Sequence, residues 1–171
     1  MVFKFSAYLK KMSVLLILFS AGNLYALDGF FGGLGLDLNA NAREGVALGG
    51  GLSFGLDLND IFSAGVKAVL SSDMDTVTTL ETAAFFRYYF TRFLPLPVGS
   101  LFAQAETGAS FFFENGKGYP AFYGGLTAGW RYNMLEKFYL EPSLRVGYPF
   151  IWGVGLSAGF RYDMRSGDAV Q

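Results

Sequence analysis

The sequence predicts an all-β protein, an eight-stranded antiparallel up-and-down transmembrane β-barrel after an N-terminal signal peptide. Three observations predict this fold class. Apolar residues alternate with small or polar ones along most of the chain, which is the pattern of strands with one apolar face. The alternating segments are about ten residues long and are separated by turn-forming residues. Every charged residue within these segments lies on the face opposite the apolar one.

The first 26 residues form a region of their own. Lys4, Lys10 and Lys11 precede the apolar run VLLILF at residues 14–19, and the stretch AGNLYA follows. A basic start, a short apolar run and a small final residue are features of a secretory signal peptide, so we expect cleavage after Ala26. An uncleaved anchor is the alternative, but the run is shorter than the roughly 20 apolar residues that a spanning helix needs.

The composition of the 171-residue chain limits its chemistry. Cysteine and histidine are both absent, which excludes disulfides, thiolate nucleophiles, the usual zinc sites and Ser-His hydrolases. Removal of the signal peptide takes three of the 13 basic residues and none of the 14 acidic ones, which leaves a net charge near −4. Nucleic acid is therefore not an expected partner.

The chain is predicted to divide into a signal peptide at 1–26, a barrel at 27–162 and a short polar tail at 163–171. Residues 46–58 illustrate the strand pattern, because Leu52, Phe54 and Leu56 share one face and Ser53, Gly55 and Asp57 share the other. An even number of strands is typical of bacterial outer-membrane barrels. The predicted strands cover residues 29–38, 46–57, 61–71, 77–90, 100–112, 121–132, 138–148 and 151–162.

The charged residues within the strands indicate which solvent the apolar face meets. An outward Arg or Lys at the bilayer midplane would cost about 2–4 kcal/mol, so a lipid-facing surface must be free of them. A soluble barrel would show the reverse sorting, with charges outside and an apolar interior. The charged residues predicted to face the lumen are Asp37, Asp57, Lys67, Glu81, Arg87, Glu106, Arg131, Glu141, Arg145 and Arg161.

A repeated motif places aromatic residues at strand ends. TAGWRYNM at 127–134 is nearly repeated as SAGFRYDM at 157–164, and AAFFRYYF at 83–90 is a looser copy. Amphipathic rings favour the depth of lipid headgroups, so we interpret each copy as a strand end at the membrane boundary; a shared ancestral hairpin is compatible with this. The predicted aromatic girdle is Phe86, Tyr88, Phe90, Trp130, Tyr132, Phe160 and Tyr162 at one boundary and Phe111, Phe122, Tyr148 and Trp152 at the other.

The five acids and five bases of the inward face are expected to form ion pairs, because buried charges need partners. A symmetric turn between the third and fourth strands would place Lys67 opposite Glu81, and Glu106 would lie diagonally between Arg87 and Arg131. These pairings depend on strand registers, which can slip by two residues. An eight-stranded barrel has room for its own side chains or one small ligand, so we expect a plugged interior.

Other motifs have simpler interpretations. GVGLSA at 153–158 matches a dinucleotide-binding fingerprint, but neither a helix nor an acidic partner follows it. Pairs of lumen carboxylates are better explained by ion pairing than by acid–base catalysis, and Asp73 and Asp75 by solvated turns than by a calcium site with Glu44 or Glu114. No catalytic residue, metal or cofactor is predicted. Pro142 lies mid-strand and is expected to cause a bulge.

From about Leu27 to Tyr162, the chain resembles the small eight-stranded outer-membrane barrels, a group that includes the OmpA membrane domain, OmpX and OmpW. The resemblance rests on the signal peptide, the strand count and repeats such as GWRYN and GFRYD. It implies a periplasmic N-terminus and insertion by the barrel-assembly machinery. The chain departs from the group in its short outer loops and in the tail DMRSGDAVQ after Tyr162, where such barrels usually end on an aromatic residue.

The sequence thus predicts a non-enzymatic integral protein of the outer membrane of a diderm bacterium, with membrane lipid as its surroundings and a structural or interaction role. The alternative is a narrow channel or binding barrel for a small, apolar solute, as resemblance to OmpW would imply. Its lining would be the inward rings Phe85, Tyr89, Phe102, Phe112 and Tyr123.

Overall fold

The computed structural model describes residues 27–41, 45–73, 75, 77–91, 99–114 and 116–164. They form a closed antiparallel barrel of eight strands in sequential order, in which β8 pairs with β1. The predicted fold class is therefore confirmed. The strands are β1 (Gly29–Asn41), β2 (Gly45–Asp57), β3 (Phe62–Ser72), β4 (Val77–Tyr89), β5 (Ser100–Glu114), β6 (Lys117–Asn133), β7 (Phe138–Tyr148) and β8 (Phe150–Asp163).

The predicted strand ends agree with the observed ones to within one residue except at two hairpins. β1 continues to Asn41, and β2 begins at Gly45. β5 continues to Glu114, and β6 begins at Lys117. These four strand ends lie in segments predicted as loops. Glu114 pairs with Lys117 at the end of the β5–β6 hairpin, and Gly116 has a φ of 74°, a conformation that favours glycine in a tight turn. The proposed signal peptide and the tail beyond residue 164 lie outside the described residues.

The two ends of the barrel differ in their connections. The terminal end contains the start of β1, the end of β8 and the connections 58–61, 90–99 and 134–137. The Asn59 side chain orders the first of these, because its Oδ1 accepts hydrogen bonds from the backbone N–H groups of Ile61 and Phe62, both at 2.9 Å. The far end contains the four remaining connections, none longer than the four residues 73–76.

Pro142 interrupts a hydrogen-bond ladder but does not cause the predicted bulge. The carbonyl of Phe138 accepts from the backbone N–H of Met134 at 3.0 Å, so even-numbered residues of β7 direct their backbone groups towards β6. Pro142 therefore withholds a donor from β6. The β6–β7 pairing stops at Gly129–Ser143 and resumes at Tyr132–Leu140 in the same register, so the prediction of an inserted residue was wrong. A register shift occurs instead between Ala40 and Asn41.

The barrel wall separates an apolar outside from a polar inside. Leu52 and Leu144 are 62% and 64% exposed on the outer face, while their strand neighbours Ser53 and Arg145 point inward and line the lumen. Glycine on the inward face makes room for large inward side chains: a Cβ on Gly55 would lie 2.3 Å from Cζ of Phe31. Within the described ranges, the chain forms no helix long and apolar enough to cross a membrane.

Candidate functional site: the lumen charge network

The ten charged side chains assigned to the lumen in the sequence all lie on the inward face of the barrel. Seven of them are buried, and Asp37, Lys67 and Arg161 are partly exposed. Nine of them fall into four groups along the barrel axis, from the terminal end to the far end, and Asp37 lies beside the last group. We call these the mouth pair, the arginine triad, the central pair and the far pair.

The mouth pair is Asp57 and Arg161, at the terminal end. Arg161 donates from Nε to Oδ2 of Asp57 at 2.7 Å, and Ser63 donates from Oγ to Oδ1 at 2.5 Å. The Asp57 carboxylate is buried, whereas 37% of the Arg161 side chain is exposed. The pair therefore holds β2, β3 and β8 together where the lumen opens.

The arginine triad is Arg87, Glu141 and Arg131. Arg87 donates from Nη1 to Oε1 of Glu141 at 2.7 Å, and Arg131 donates from Nε to the same oxygen. All three residues are buried. One carboxylate thus serves two guanidinium groups, and the triad carries one more positive charge than negative.

Five inward rings surround the triad and compensate in part for the lost hydration of its guanidinium groups. The Arg87 Cζ lies 4.0 Å from the ring centroid of Phe102, and the Arg131 Cζ lies 4.3 Å from that of Phe31 and 4.2 Å from that of Tyr139. Cation–π contacts of desolvated arginines each contribute about 2 kcal/mol. Phe85 and Tyr89 complete the set, with centroids 5.5 and 5.7 Å from the Arg87 Cζ.

The central pair is Lys67 and Glu106, whose Nζ and Oε2 are 2.6 Å apart. Glu106 also accepts hydrogen bonds from Thr127 at 2.7 Å and from the hydroxyl of Tyr123. Gln104 links this pair to the triad, because it accepts from Arg87 Nε at 2.8 Å and donates to Glu106 at 2.6 Å. The resulting network joins five successive strands, β3 to β7.

The far pair is Glu81 and Arg145. Arg145 donates from Nη2 to Oε2 of Glu81 at 2.9 Å and from Nε to Oδ1 of Asn39 at 2.8 Å. Its Cζ lies 3.9 Å from the ring centroid of Phe150. Asp37, also on this side of the barrel, lines a cavity together with Arg145.

Both ion pairings predicted from the sequence were wrong. Lys67 faces Ala83 across the β3–β4 ladder, and Glu81 faces Val69, a slip of two residues from the predicted register. Lys67 instead reaches Glu106, two strands away, and Glu81 reaches Arg145 on β7. Glu106 is diagonal to Arg87, which faces Gln104, but Arg131 faces Ser100, six residues away along β5. Both arginines bind Glu141 instead of Glu106.

Between the described side chains, the lumen leaves space for a few water molecules. A cavity of about 70 Å³ is lined by Asp37, Lys67, Glu106, Ser53, Ser143 and Ser157 among others. A polar cavity of this size holds water readily. Of the rings expected to line an apolar site, Phe85, Tyr89 and Phe102 contact Arg87, and Tyr123 donates to Glu106, so they serve the charge network instead.

The rings assigned to the girdle point outward at the two ends of the barrel. Nine of the eleven are exposed, and Tyr88 and Phe90 are half-buried against each other, with ring centroids 5.0 Å apart. Several neighbouring outward rings were not predicted from the sequence. Phe30 stacks on Tyr162 at 5.3 Å and contacts Phe54 and Phe160.

The neutral members of the network were not predicted from the sequence either. Gln104, Thr127 and Asn39 are uncharged, and their side chains form hydrogen bonds with the buried charged side chains. The sequence does contain an indication of their role. Each lies an even number of residues from a charged lumen residue on its own strand: Gln104 from Glu106, Thr127 from Arg131 and Asn39 from Asp37. Residues separated by an even number share a face of a strand, so an uncharged polar residue in that position is a candidate partner.

Of the acidic residues weighed against solvated turns as a calcium site, Glu44 lies outside the described residues. Among the described residues, no group of three or more carboxylates is placed to hold a metal ion. The carboxylate of Asp73 accepts hydrogen bonds from the backbone N–H groups of Asp75 and Val77, at 2.9 and 3.0 Å. Asp73 therefore orders the β3–β4 turn.

The solved structures that are similar to this chain include two outer-membrane proteins. The N-terminal β-barrel domain of Pseudomonas aeruginosa OprF is 17% identical, with a TM-score of 0.56, and the match covers 77% of this chain and 97% of that one. Neisserial surface protein A is 15% identical, also with a TM-score of 0.56, covering 80% of this chain and 96% of that one. No protein-family model and no curated protein matches the chain. Both similar structures are eight-stranded outer-membrane barrels, so the resemblance is confirmed at the level of the fold.

Proposed function

We propose that this protein is a non-enzymatic, integral outer-membrane β-barrel with a charge-paired, plugged interior, and that its role is structural or interactive. One observation carries the proposal: the ten lumen charges lie on the inward face of the barrel, seven of them buried, and large apolar side chains are exposed on the outside. In aqueous surroundings, that apolar surface would contact water, which is unfavourable. Hydrocarbon is the solvent in which this sorting is stable.

The size of the apolar surface supports the membrane location. A soluble monomer rarely exposes a continuous apolar patch larger than about 300–600 Å². Here, exposed leucine, valine and aromatic side chains occur on all eight strands. A closed barrel also leaves few unpaired backbone groups, which is the condition for crossing a bilayer with strands.

The packing of the lumen supports the plug. Ion pairs and hydrogen bonds cross the lumen at four levels, and the cavity between them measures about 70 Å³. Passage of a hydrated solute would require several buried charges to separate, each leaving a partner without compensation, which costs about 3–5 kcal/mol per broken pair. The alternative of a narrow channel therefore requires a rearrangement of the lumen.

In this proposal, the terminal end faces the periplasm and the far end faces the cell exterior. The signal peptide and the barrel-assembly machinery would deliver the chain to the outer membrane. The short far-end connections leave little surface for adhesion, which favours a structural role over binding of large partners.

Two measurements test the proposal. Unboiled protein should migrate differently from boiled protein on a denaturing gel, as a stable folded barrel does. In planar bilayers, the protein should give no steady conductance under conditions in which a large porin conducts. Large steady openings would contradict the plug and favour the channel, whereas loss of folding in detergent with recovery in plain buffer would contradict the membrane location.

A further inference from the structure

The terminal end of the lumen opens into a recess whose chemistry the proposed function does not use. The recess has a volume of about 400 Å³ and is lined by Arg131 and Arg161, by the polar side chains of Thr91, Ser100 and Asn133, and by Asp60 among others. It is several times larger than the cavity deeper in the lumen.

Arg131 has hydrogen-bonding capacity that the barrel does not use. It is buried, and its Nη2 has no hydrogen-bond partner among the described residues, although an unpaired buried donor costs about 1–3 kcal/mol. Glu141 already accepts from both Arg131 and Arg87. Arg131, which lines the recess, therefore belongs to a triad with an excess of positive charge.

The second arginine of the recess is accessible from solvent. Arg161 binds Asp57 through Nε, and 37% of its side chain remains exposed. Of the described residues that line the recess, Asp60 alone carries a carboxylate. It is exposed in the connection 58–61, where water screens it. The recess thus has two arginines in its wall, Arg161 partly exposed and Arg131 buried, with hydroxyl and amide side chains beside them.

The arginines are also held in position before any ligand arrives. The Arg131 Cζ lies 4.3 and 4.2 Å from the ring centroids of Phe31 and Tyr139, and the bond to Asp57 anchors Arg161. Preorganised groups bind more tightly, because less freedom is lost on binding. The planar fork of a guanidinium group matches two oxygens of a carboxylate or phosphate.

We propose that this recess binds a small oxyanion, a carboxylate or a phosphate group, between Arg161 and Arg131. The inference depends on the geometry of the recess alone and holds whether or not the barrel is plugged. In the topology proposed above, the recess would open to the periplasm.

The test is a titration of the full protein in zwitterionic detergent micelles with inorganic phosphate, and separately with acetate, at constant ionic strength set by chloride. Nitrogen NMR of the arginine side chains is the readout. We expect saturable shifts of the Arg131 and Arg161 Nε–H signals and none at Arg145 in the far half. The anion that saturates at the lower concentration identifies the class. Absence of saturation with both anions, or equal shifts at Arg145, would overturn the proposal.

A pair of matched variants separates a site from general charge attraction. Arg161→Gln should weaken binding roughly tenfold or more, since a charge-assisted hydrogen bond is lost. Lys137→Gln removes the same charge from an exposed residue of the terminal end that does not line the recess, and it should change the affinity by less than about twofold. Equal weakening by both variants would contradict the site. If Arg161→Gln does not fold, the wild-type titration decides.

Discussion

Glu141 is the residue on which the charge balance of the triad depends. Its carboxylate pairs with two buried guanidinium groups, those of Arg87 and Arg131. Buried charges that lose their partner cost far more than the pair contributes when intact. A loss of charge at this position therefore leaves two buried cations close together.

We predict that Glu141→Gln lowers the free energy of unfolding by about 3–5 kcal/mol, the range for breaking a buried ion pair from one side. Urea unfolding of the protein in detergent micelles measures it. Glu136→Gln is the matched control, because Glu136 is exposed in the connection 134–137, and it should change stability by about 0.5 kcal/mol or less. Similar effects of the two substitutions would mean that the triad is not a stabilising unit.

Two prolines lie within the described strands, Pro120 in β6 and Pro142 in β7. The cost of the N–H that each one lacks depends on whether a paired strand lies opposite it. Backbone groups of even-numbered residues in β6 and β7 face each other, and the last β6–β7 pair is Gly124–Tyr148. Pro142 therefore removes a donor from a paired ladder, whereas Pro120 lies beyond the end of β7, at an edge where a missing N–H does no harm.

We predict that Pro142→Ala restores a hydrogen bond to β6 and that its new amide exchanges as slowly as the amide of Leu144. Stability should change little, because the gain of about 0.5–1.5 kcal/mol from one hydrogen bond is offset by the greater freedom of the unfolded chain, worth about 0.4–1 kcal/mol. Hydrogen exchange monitored by NMR is therefore the appropriate measurement.

Pro120→Ala is the control for this element. The amide that it introduces faces the free edge of β6 and should exchange at least about tenfold faster than the amide that Pro142→Ala introduces, because a backbone group outside a paired ladder is open to solvent. Fast exchange at both positions would contradict the inferred orientation of the β7 backbone.

At the scale of the whole molecule, the outer face should be sensitive to charge in proportion to its depth in the bilayer. We predict that Leu52→Arg destabilises the barrel in lipid vesicles by about 2–4 kcal/mol, the range for an outward arginine near the midplane. Leu135→Arg is the matched control. Leu135 is 67% exposed but lies in the connection 134–137, and a change of about 0.5 kcal/mol or less is expected there. Equal costs would argue against hydrocarbon around the strands.

Spin labels give an independent test of the same surface. Labels at Leu52, Ala84 and Leu144, all exposed on the outer face, should collide with lipid-dissolved oxygen more than with an aqueous nickel reagent. A label at Leu135 should show the opposite preference. Wet labels at the three strand positions would remove the basis of the membrane proposal.

The alternation of residue types by itself determined the barrel and the inward or outward side of each charged residue, because side chains alternate between the faces of a strand. It did not determine which charges meet. A slip of two residues leaves every side chain on its own face and changes its neighbours, as the predicted Lys67–Glu81 and the observed Lys67–Glu106 pairs illustrate. Long side chains also reach across the lumen to strands that are distant along the sheet, as Arg145 of β7 reaches Glu81 of β4. Closure of the barrel brings those strands within reach, so the tertiary structure alone decided the pairing.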